Sequence, residues 1–149
     1  MEEKQDPEYY EQFVIKKYKH WTLLVNQYQT YLGKAVVWLN REGEMQRLSS
    51  LTAEERAELW EKVLPEYEAA LEKLFKPDHM NYAWLGNWFH MHKGHGHMHL
   101  IPRYASAREF AGKTFIDEKW GSHYIEASDQ NLPIELAHAV RDAFREHIR

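Results

Sequence analysis

The segment that decides the fold is His95-Gly96-His97-Met98-His99-Leu100-Ile101-Pro102-Arg103. Three of its histidines alternate with other residues, and His90 and His92 lie shortly before them. Five of the ten histidines in this 149-residue chain therefore fall between positions 90 and 99, where a random distribution would place fewer than one. An enrichment of this size requires an explanation.

The alternation predicts a β-strand over residues 97–101, since successive side chains of a strand point to opposite faces of the sheet. His95, His97 and His99 then share one face, and the residues between them point to the other. Three adjacent imidazoles cannot all be charged without repulsion, and their burial without polar partners costs free energy. Such an arrangement needs an anion, a metal ion or a chain of hydrogen bonds.

Three interpretations of the histidines compete. One histidine acts as a nucleophile toward phosphorus while its neighbours hold phosphate oxygens, because imidazole is nucleophilic when neutral and donates a proton when charged. Alternatively, the imidazoles bind a divalent transition metal. The metal ligands would be His90, His92, His95, His97 and His99. The third interpretation is a set of solvated histidines without a function, and spacing alone does not decide between phosphorus and metal.

Composition narrows the class of protein. A net charge of −4 and an apolar content of 44% indicate a globular domain rather than a nucleic-acid-binding protein. The chain has no cysteine, so thiolate chemistry and disulfides are excluded. The polar start and the lack of a long apolar run predict neither a signal peptide nor contact with a membrane. The sequence thus predicts one domain over residues 1–149, located in the cytoplasm.

Strand patterns occur on both sides of a long helical segment. Apolar and β-branched residues between polar or glycine-containing segments predict strands over 21–25, 35–39 and 81–85, besides 97–101. Residues 42–44 predict a turn and residues 88–94 a loop. No regular structure is assigned to residues 104–131.

Helix signals are strongest after position 51. Thr52 and Glu55 form a capping-box pattern, and apolar residues then recur at intervals of three and four to Phe75. Pro65 interrupts this pattern, so we expect a bend there. Residues 133–148 predict a C-terminal helix, and residues 7–16 a short helix or an irregular arm.

The segment His95–Ile101 resembles the signature of the histidine triad family, in which each of three histidines is followed by a typically apolar residue. Leu24-Val25-Asn26, followed by Gly33 and Ala35-Val36-Val37, is similar to the nucleotide-binding strand pair of that family. The helical segment after Thr52 stands where the family has its long helix. The resemblance covers about residues 21–104.

This resemblance implies an α+β fold, with an antiparallel sheet, one long helix and a C-terminal helix, that pairs into a homodimer. It implies hydrolysis or transfer at the α-phosphate of a small-molecule nucleotide, such as a dinucleoside polyphosphate or a nucleoside phosphoramidate. It requires no cofactor, and a divalent metal belongs to the alternative interpretation. A nucleic acid or a membrane is not an expected partner.

The resemblance also assigns roles to individual residues. His97 would attack the α-phosphorus and form a phosphohistidine-type intermediate, His95 would orient His97, and His99 would bind the phosphate oxygens. Asn26 would contact the ribose hydroxyls. Asn87 is similar to the amide residue that precedes the triad and touches the phosphate or the leaving group.

Two cations complete the predicted substrate-binding set. Lys34 stands where the family has an additional histidine, and its ammonium can pair with a phosphate. Arg103 would either reach a phosphate or form an ion pair at the end of its strand.

One departure from the family leaves another function open. His92-Lys93-Gly94 replaces a glycine–glutamine pair and a hydroxyl residue that would assist protonation of the leaving group. A nucleotide-binding protein with little catalysis is therefore an alternative.

Overall fold

The computed structural model describes residues 7–43, 47–87, 95–124 and 132–149. Its centre is a five-stranded antiparallel sheet in the order β1-β2-β3-β5-β4. The strands are β1 Val14–Lys17, β2 Trp21–Val25, β3 Ala35–Leu39, β4 His79–Trp84 and β5 His97–Arg103. A separate hairpin joins β6 Arg108–Phe110 to β7 Lys113–Phe115.

The helices are α1 Pro7–Tyr10, α2 Ala53–Glu58, α3 Leu64–Leu74 and α4 Ile134–His147. A 3₁₀ turn follows α1 at Glu11–Phe13, and another lies at Leu48–Ser50. Sheet and helices together confirm the predicted α+β class with a long helical segment and a C-terminal helix.

One face of the sheet packs against the helices, and we call it the helix face. Leu23, Val37 and Leu100 lie on three adjacent strands of this face, and each is fully buried. They belong to one apolar cluster with Leu71 of α3 and Val140 of α4. Burial of this apolar surface is the main source of stability for the fold.

The long helical segment begins as predicted but continues differently. The Thr52 hydroxyl accepts a hydrogen bond from the Glu55 backbone N–H, and the Glu55 carboxylate accepts one from Thr52 N–H, at 3.1 and 2.8 Å. Between α2 and α3 the backbone forms a π-helical turn over Leu59–Val63. Since Pro65 has no backbone N–H to donate, the wider turn before it accommodates the ring. The interruption expected at Pro65 is thus a π-helical turn just before it.

The turn between β2 and β3 brings the backbone close to α3. Gly33 has a φ of +87°, and a Cβ placed on it would lie 2.7 Å from Leu71 Cδ1. Glycine is therefore required here both for its conformation and for the close approach.

All four predicted strands and the helices after residue 51 are confirmed, with β2 and β3 at the predicted bounds. Two elements were not predicted. Strand β1 lies at an edge of the sheet, and its two lysines interrupt the apolar pattern that identifies a strand. The strands of the β6–β7 hairpin have only three residues each, too few to show a pattern. The predicted loop 88–94 lies outside the described residues. No helix in the described ranges is long and apolar enough to cross a membrane.

Candidate functional site

The second face of the sheet carries the histidines, and we call it the triad face. In the antiparallel register, His97 pairs with Trp38 and His99 pairs with Val36, so these four side chains share that face. Leu24 of β2 pairs with Val36 and extends the same row. The intervening Met98 and Leu100 join the apolar cluster on the helix face, as the alternation predicted.

His97 and His99 lie next to each other and are almost fully buried, with 3% and 6% of their surface exposed. Their ring centroids are 5.2 Å apart. His97 Nδ1 lies 3.1 Å from the backbone oxygen of His95. A carbonyl only accepts hydrogen bonds, so Nδ1 carries the proton, and the lone pair of the neutral ring lies on Nε2.

His95 precedes β5 and is held by three groups. Its Nδ1 lies 2.7 Å from the Leu39 carbonyl oxygen. Its ring stacks on Trp38, with centroids 5.7 Å apart and an interplanar angle of 17°. Its Nε2 lies 3.8 Å from a carboxylate oxygen of Glu42. The edge of Tyr10 in turn meets the Trp38 ring.

Sequence reasoning missed Trp38 and Glu42 as neighbours of the triad. The alternation of β3 could have placed Trp38 on the histidine face. Its pairing with His97 depends on the register between β3 and β5, which the sequence does not give.

Asn26 and Lys34 face each other across the turn between β2 and β3. The Asn26 backbone N–H donates to the Lys34 carbonyl at 2.9 Å, which extends the β2–β3 ladder by one pair. Lys34 is 5% exposed. The Asn26 side-chain oxygen accepts a hydrogen bond from Tyr28 N–H at 2.8 Å. The structure thus brings these two predicted residues together on the triad face, two positions beyond Leu24 and Val36.

Gln29 fixes the shape of this turn and was not predicted. Its side chain is fully buried and donates to the carbonyl oxygens of Asn26 and Lys34, each at 2.8 Å. Its own side-chain oxygen accepts from Gly33 N–H at 2.9 Å. A polar residue in a turn is usually exposed, so the sequence carries no signal for this role.

Arg103 forms the ion pair that was one of its two predicted roles. Its guanidinium donates to both carboxylate oxygens of Asp117, at 2.6 and 3.0 Å, and both side chains are almost fully buried. Burial is the largest single influence and raises the pKa of Asp117. The hydrogen bonds and charge of Arg103, together with the backbone N–H groups of Tyr104 and Lys119, outweigh it and lower that pKa below its ordinary value. Arg103 also donates to Asn81 and to the backbone oxygens of Lys119 and Ser122. A contact with phosphate stays a prediction.

Asn87 is exposed just after β4, and its role as a phosphate contact stays a prediction. His90 and His92 lie outside the described residues. Within the residues that are described, no group of three histidine, aspartate or glutamate side chains is arranged to hold a metal ion. The five-histidine metal site therefore also stays a prediction.

Comparison with known proteins identifies the fold. No protein-family model and no curated protein matches the sequence. Among solved structures, a histidine triad protein from Bradyrhizobium japonicum superposes with a TM-score of 0.64 at 19% identity, covering 97% of both chains. This chain has the histidine-triad fold.

Two further structures share that fold. The diadenosine triphosphate hydrolase of Plasmodium falciparum matches with a TM-score of 0.59 and 15% identity, over 91% of this chain and 75% of the hydrolase. The NitFhit protein of C. elegans matches with a TM-score of 0.62 and 21% identity over 92% of this chain. The present chain spans only 27% of NitFhit, so the likeness concerns one part of that protein.

Proposed function

We propose that the chain binds a small-molecule nucleotide on the triad face and catalyses hydrolysis or transfer at its α-phosphate. The observation that carries this proposal is the buried pair His97 and His99, with His97 Nδ1 directed at a backbone carbonyl. That contact leaves the nucleophilic lone pair on Nε2. The likeness to a diadenosine triphosphate hydrolase supports the same reaction class.

The reaction would proceed in two displacements. His97 Nε2 forms a bond to the α-phosphorus, and the bond from phosphorus to the leaving oxygen or nitrogen breaks. The electron pair goes to the leaving group, which takes a proton from solvent. Water or another acceptor then attacks the phosphorus and releases its proton to solvent, and the phosphorus–nitrogen bond breaks with its electron pair returning to Nε2, which restores His97. His99, whose ring is next to that of His97, would donate a ring N–H to a phosphate oxygen as charge develops. Phosphoryl transfer largely depends on contacts of this type.

The residues proposed to bind the nucleoside lie on the β2–β3 side of the histidines. Asn26 would hydrogen-bond the ribose hydroxyls, and the Lys34 ammonium would pair with phosphate charge. Val36, which is half-buried on the triad face, provides apolar surface between these residues and the histidines, which suits a base.

Turnover of two substrates tests the proposal. The purified chain should release AMP from diadenosine triphosphate or from adenosine 5′-phosphoramidate. Quenching in alkaline denaturant, in which a phosphorus–nitrogen bond survives, followed by mass spectrometry should detect an AMP adduct on His97. His97→Ala should abolish both signals without a change in melting temperature. His147→Ala, in the exposed last turn of α4, is the matched histidine control and should retain full activity. Undiminished turnover by His97→Ala would disprove the assignment.

Nucleotide binding with little catalysis is the second candidate. It is favoured by His92-Lys93-Gly94, which replaces the residues that assist the leaving group in the family. Calorimetry should then show AMP binding by the wild-type chain while a substrate panel gives no turnover.

Metal content and assembly need separate measurements. Stoichiometric zinc, nickel or copper in untagged protein would favour the five-histidine metal site instead. The homodimer implied by the resemblance is checked by light scattering.

A further inference from the structure

The turn between β2 and β3 carries both residues proposed to bind the nucleoside. Asn26 stands at its start and Lys34 at its end, and the Asn26 N–H donates to the Lys34 carbonyl. The Lys34 N–H in turn donates to the Tyr31 carbonyl at 2.9 Å, which closes the turn on itself. The positions of the Asn26 and Lys34 side chains therefore depend on the conformation of residues 27–33.

Helix α3 contacts this turn from the helix face with one row of side chains. Tyr67, Leu71 and Phe75 are spaced four residues apart, so they lie on the same side of the helix. A Cβ on Gly33 would lie 2.7 Å from Leu71 and 3.2 Å from Phe75. The Tyr67 hydroxyl donates to the Gly33 carbonyl at 2.8 Å, and Tyr67 is fully buried. The helix thus fixes the residue that immediately precedes Lys34.

A second tyrosine binds the preceding carbonyl of the turn. Tyr104 follows β5, is almost fully buried, and donates its hydroxyl to the Leu32 carbonyl at 2.6 Å. Burial raises the pKa of Tyr67 and of Tyr104 above the ordinary value of 10, so both hydroxyls stay protonated and donate at neutral pH. Two consecutive carbonyls, those of Leu32 and Gly33, are therefore held by tyrosines from different parts of the chain.

The triad face holds the same turn through Tyr31. This ring packs with Ile101 and Tyr124 in a small apolar cluster. The Arg103 guanidinium lies over it, 5.3 Å from the ring centroid. The turn is thus held from both faces of the sheet by contacts within the protein. Such preorganisation lowers the entropic cost of binding a ligand.

We propose that Tyr67 and Tyr104 are positioning residues, whose hydroxyls fix the turn and so hold Asn26 and Lys34 where a nucleotide meets them. Both tyrosines belong to the apolar cluster of the helix face, so they act on a ligand of the triad face only through the turn. The inference rests on the proposed function for the roles of Asn26 and Lys34. It gives the long helical segment a part in nucleotide affinity that is separate from its part in stability.

Removal of one hydroxyl tests the inference. Tyr67→Phe keeps the ring, which stacks on Phe144, and deletes only the hydrogen bond to the turn. It should weaken AMP binding in calorimetry and raise KM by roughly 2- to 30-fold, the range for substitutions that act on a site without touching its ligand. The kcat at saturating diadenosine triphosphate should stay unchanged, because His97 and His99 keep their own contacts. Tyr104→Phe should act in the same direction, and it carries the test if Tyr67→Phe does not fold.

Tyr18→Phe is the matched control. The Tyr18 hydroxyl donates to Glu66 of α3 at 2.7 Å, so this variant also deletes a tyrosine hydrogen bond at that helix. Tyr18 precedes β2 and therefore lies at the end of the strand away from the turn. Tyr18→Phe should lower the melting temperature but change neither the affinity for AMP nor KM.

Several results would overturn the inference. These are an unchanged affinity for AMP in Tyr67→Phe and Tyr104→Phe, an equal loss in Tyr18→Phe, or a lower kcat with an unchanged KM. NMR spectra of the ligand-free chain provide a second measurement. The backbone amide signals of Asn26 and Lys34 should move in Tyr67→Phe and stay in place in Tyr18→Phe, and unmoved signals in Tyr67→Phe would equally overturn it. Failure of the proposed function is seen separately, as absence of AMP binding and turnover by the wild-type chain, while these signals still report on the turn.

Discussion

The two faces of the central sheet are covered in different ways. On the helix face, apolar side chains of β2, β3 and β5 pack against α3 and α4. On the triad face, polar interactions hold the surrounding segments beside a small apolar cluster of Tyr31, Ile101 and Tyr124. Arg103 holds the segment 117–124, and Gln29 holds the turn before β3.

This difference shows how one small sheet provides both a stable core and a candidate reactive site. Met98, His99 and Leu100 are consecutive in the chain, yet His99 lies in a separate environment from its two neighbours. Because a strand alternates its faces, the apolar packing on one side stabilises the backbone that positions the imidazoles on the other. Substitutions on the two faces should therefore separate stability from turnover.

Loss of the Arg103 ion pair is the largest expected effect on stability. Arg103→Leu leaves the Asp117 carboxylate buried without its cation, which should lower the free energy of unfolding by about 3–5 kcal/mol. Urea unfolding followed by circular dichroism measures this. The double variant Arg103→Leu with Asp117→Leu should recover part of the loss, since no buried charge remains. An unchanged midpoint for Arg103→Leu would show that polar interactions do not secure the triad face.

Adjacent substitutions on β5 should affect different properties. Leu100→Ala opens a cavity on the helix face and should cost about 2–5 kcal/mol of stability. His99→Ala removes the proposed phosphate contact and should lower kcat by about 10²- to 10³-fold with little change in melting temperature. Steady-state kinetics and thermal unfolding on both variants provide the comparison. The prediction is contradicted if His99→Ala lowers the melting temperature more than Leu100→Ala does.

Acid should lower the free energy of unfolding by protonating the Glu55 carboxylate. Hydrogen bonds from Arg41 lower the pKa of this carboxyl from its ordinary 4.5 to about 2, with a further contribution from Thr52. The folded-state pKa is depressed, so the stabilisation is complete above about pH 4.5 and is lost as the pH falls toward 2. Glu55→Gln should cost about 2 kcal/mol at pH 7, a figure reduced for the solvent around Arg41. Denaturant unfolding from pH 7 to 2 should show this gap closing, and a constant gap would contradict the prediction.

Trp38 provides the smallest and most specific test. It stacks on His95 from the neighbouring strand, so Trp38→Leu should misplace that ring and lower kcat about tenfold, with KM unchanged. Trp38→Phe keeps a flat surface and should restore most of the rate. An equal loss of kcat in Trp38→Leu and Trp38→Phe would indicate that the stack does not position His95.

The fold and part of the site could be predicted from the sequence. Strands β2 and β3, the capping box at Thr52 and the C-terminal helix follow from neighbours a few residues apart, where periodicity and local hydrogen bonds act. The placement of His97 and His99 on one face likewise follows from strand geometry. The edge strand β1 and the contacts of Trp38 did not follow, because no local pattern carries them.

The sequence by itself determined which residues can perform the chemistry, and only the tertiary structure decided what surrounds them. The partner of Arg103 is 14 residues away, and the carbonyl that meets His95 is 56 residues away. Such contacts depend on strand register and on how each loop closes, which no short segment specifies. The triad was therefore predictable from one segment, whereas the stack behind His95 and the buried ion pair required the assembled sheet.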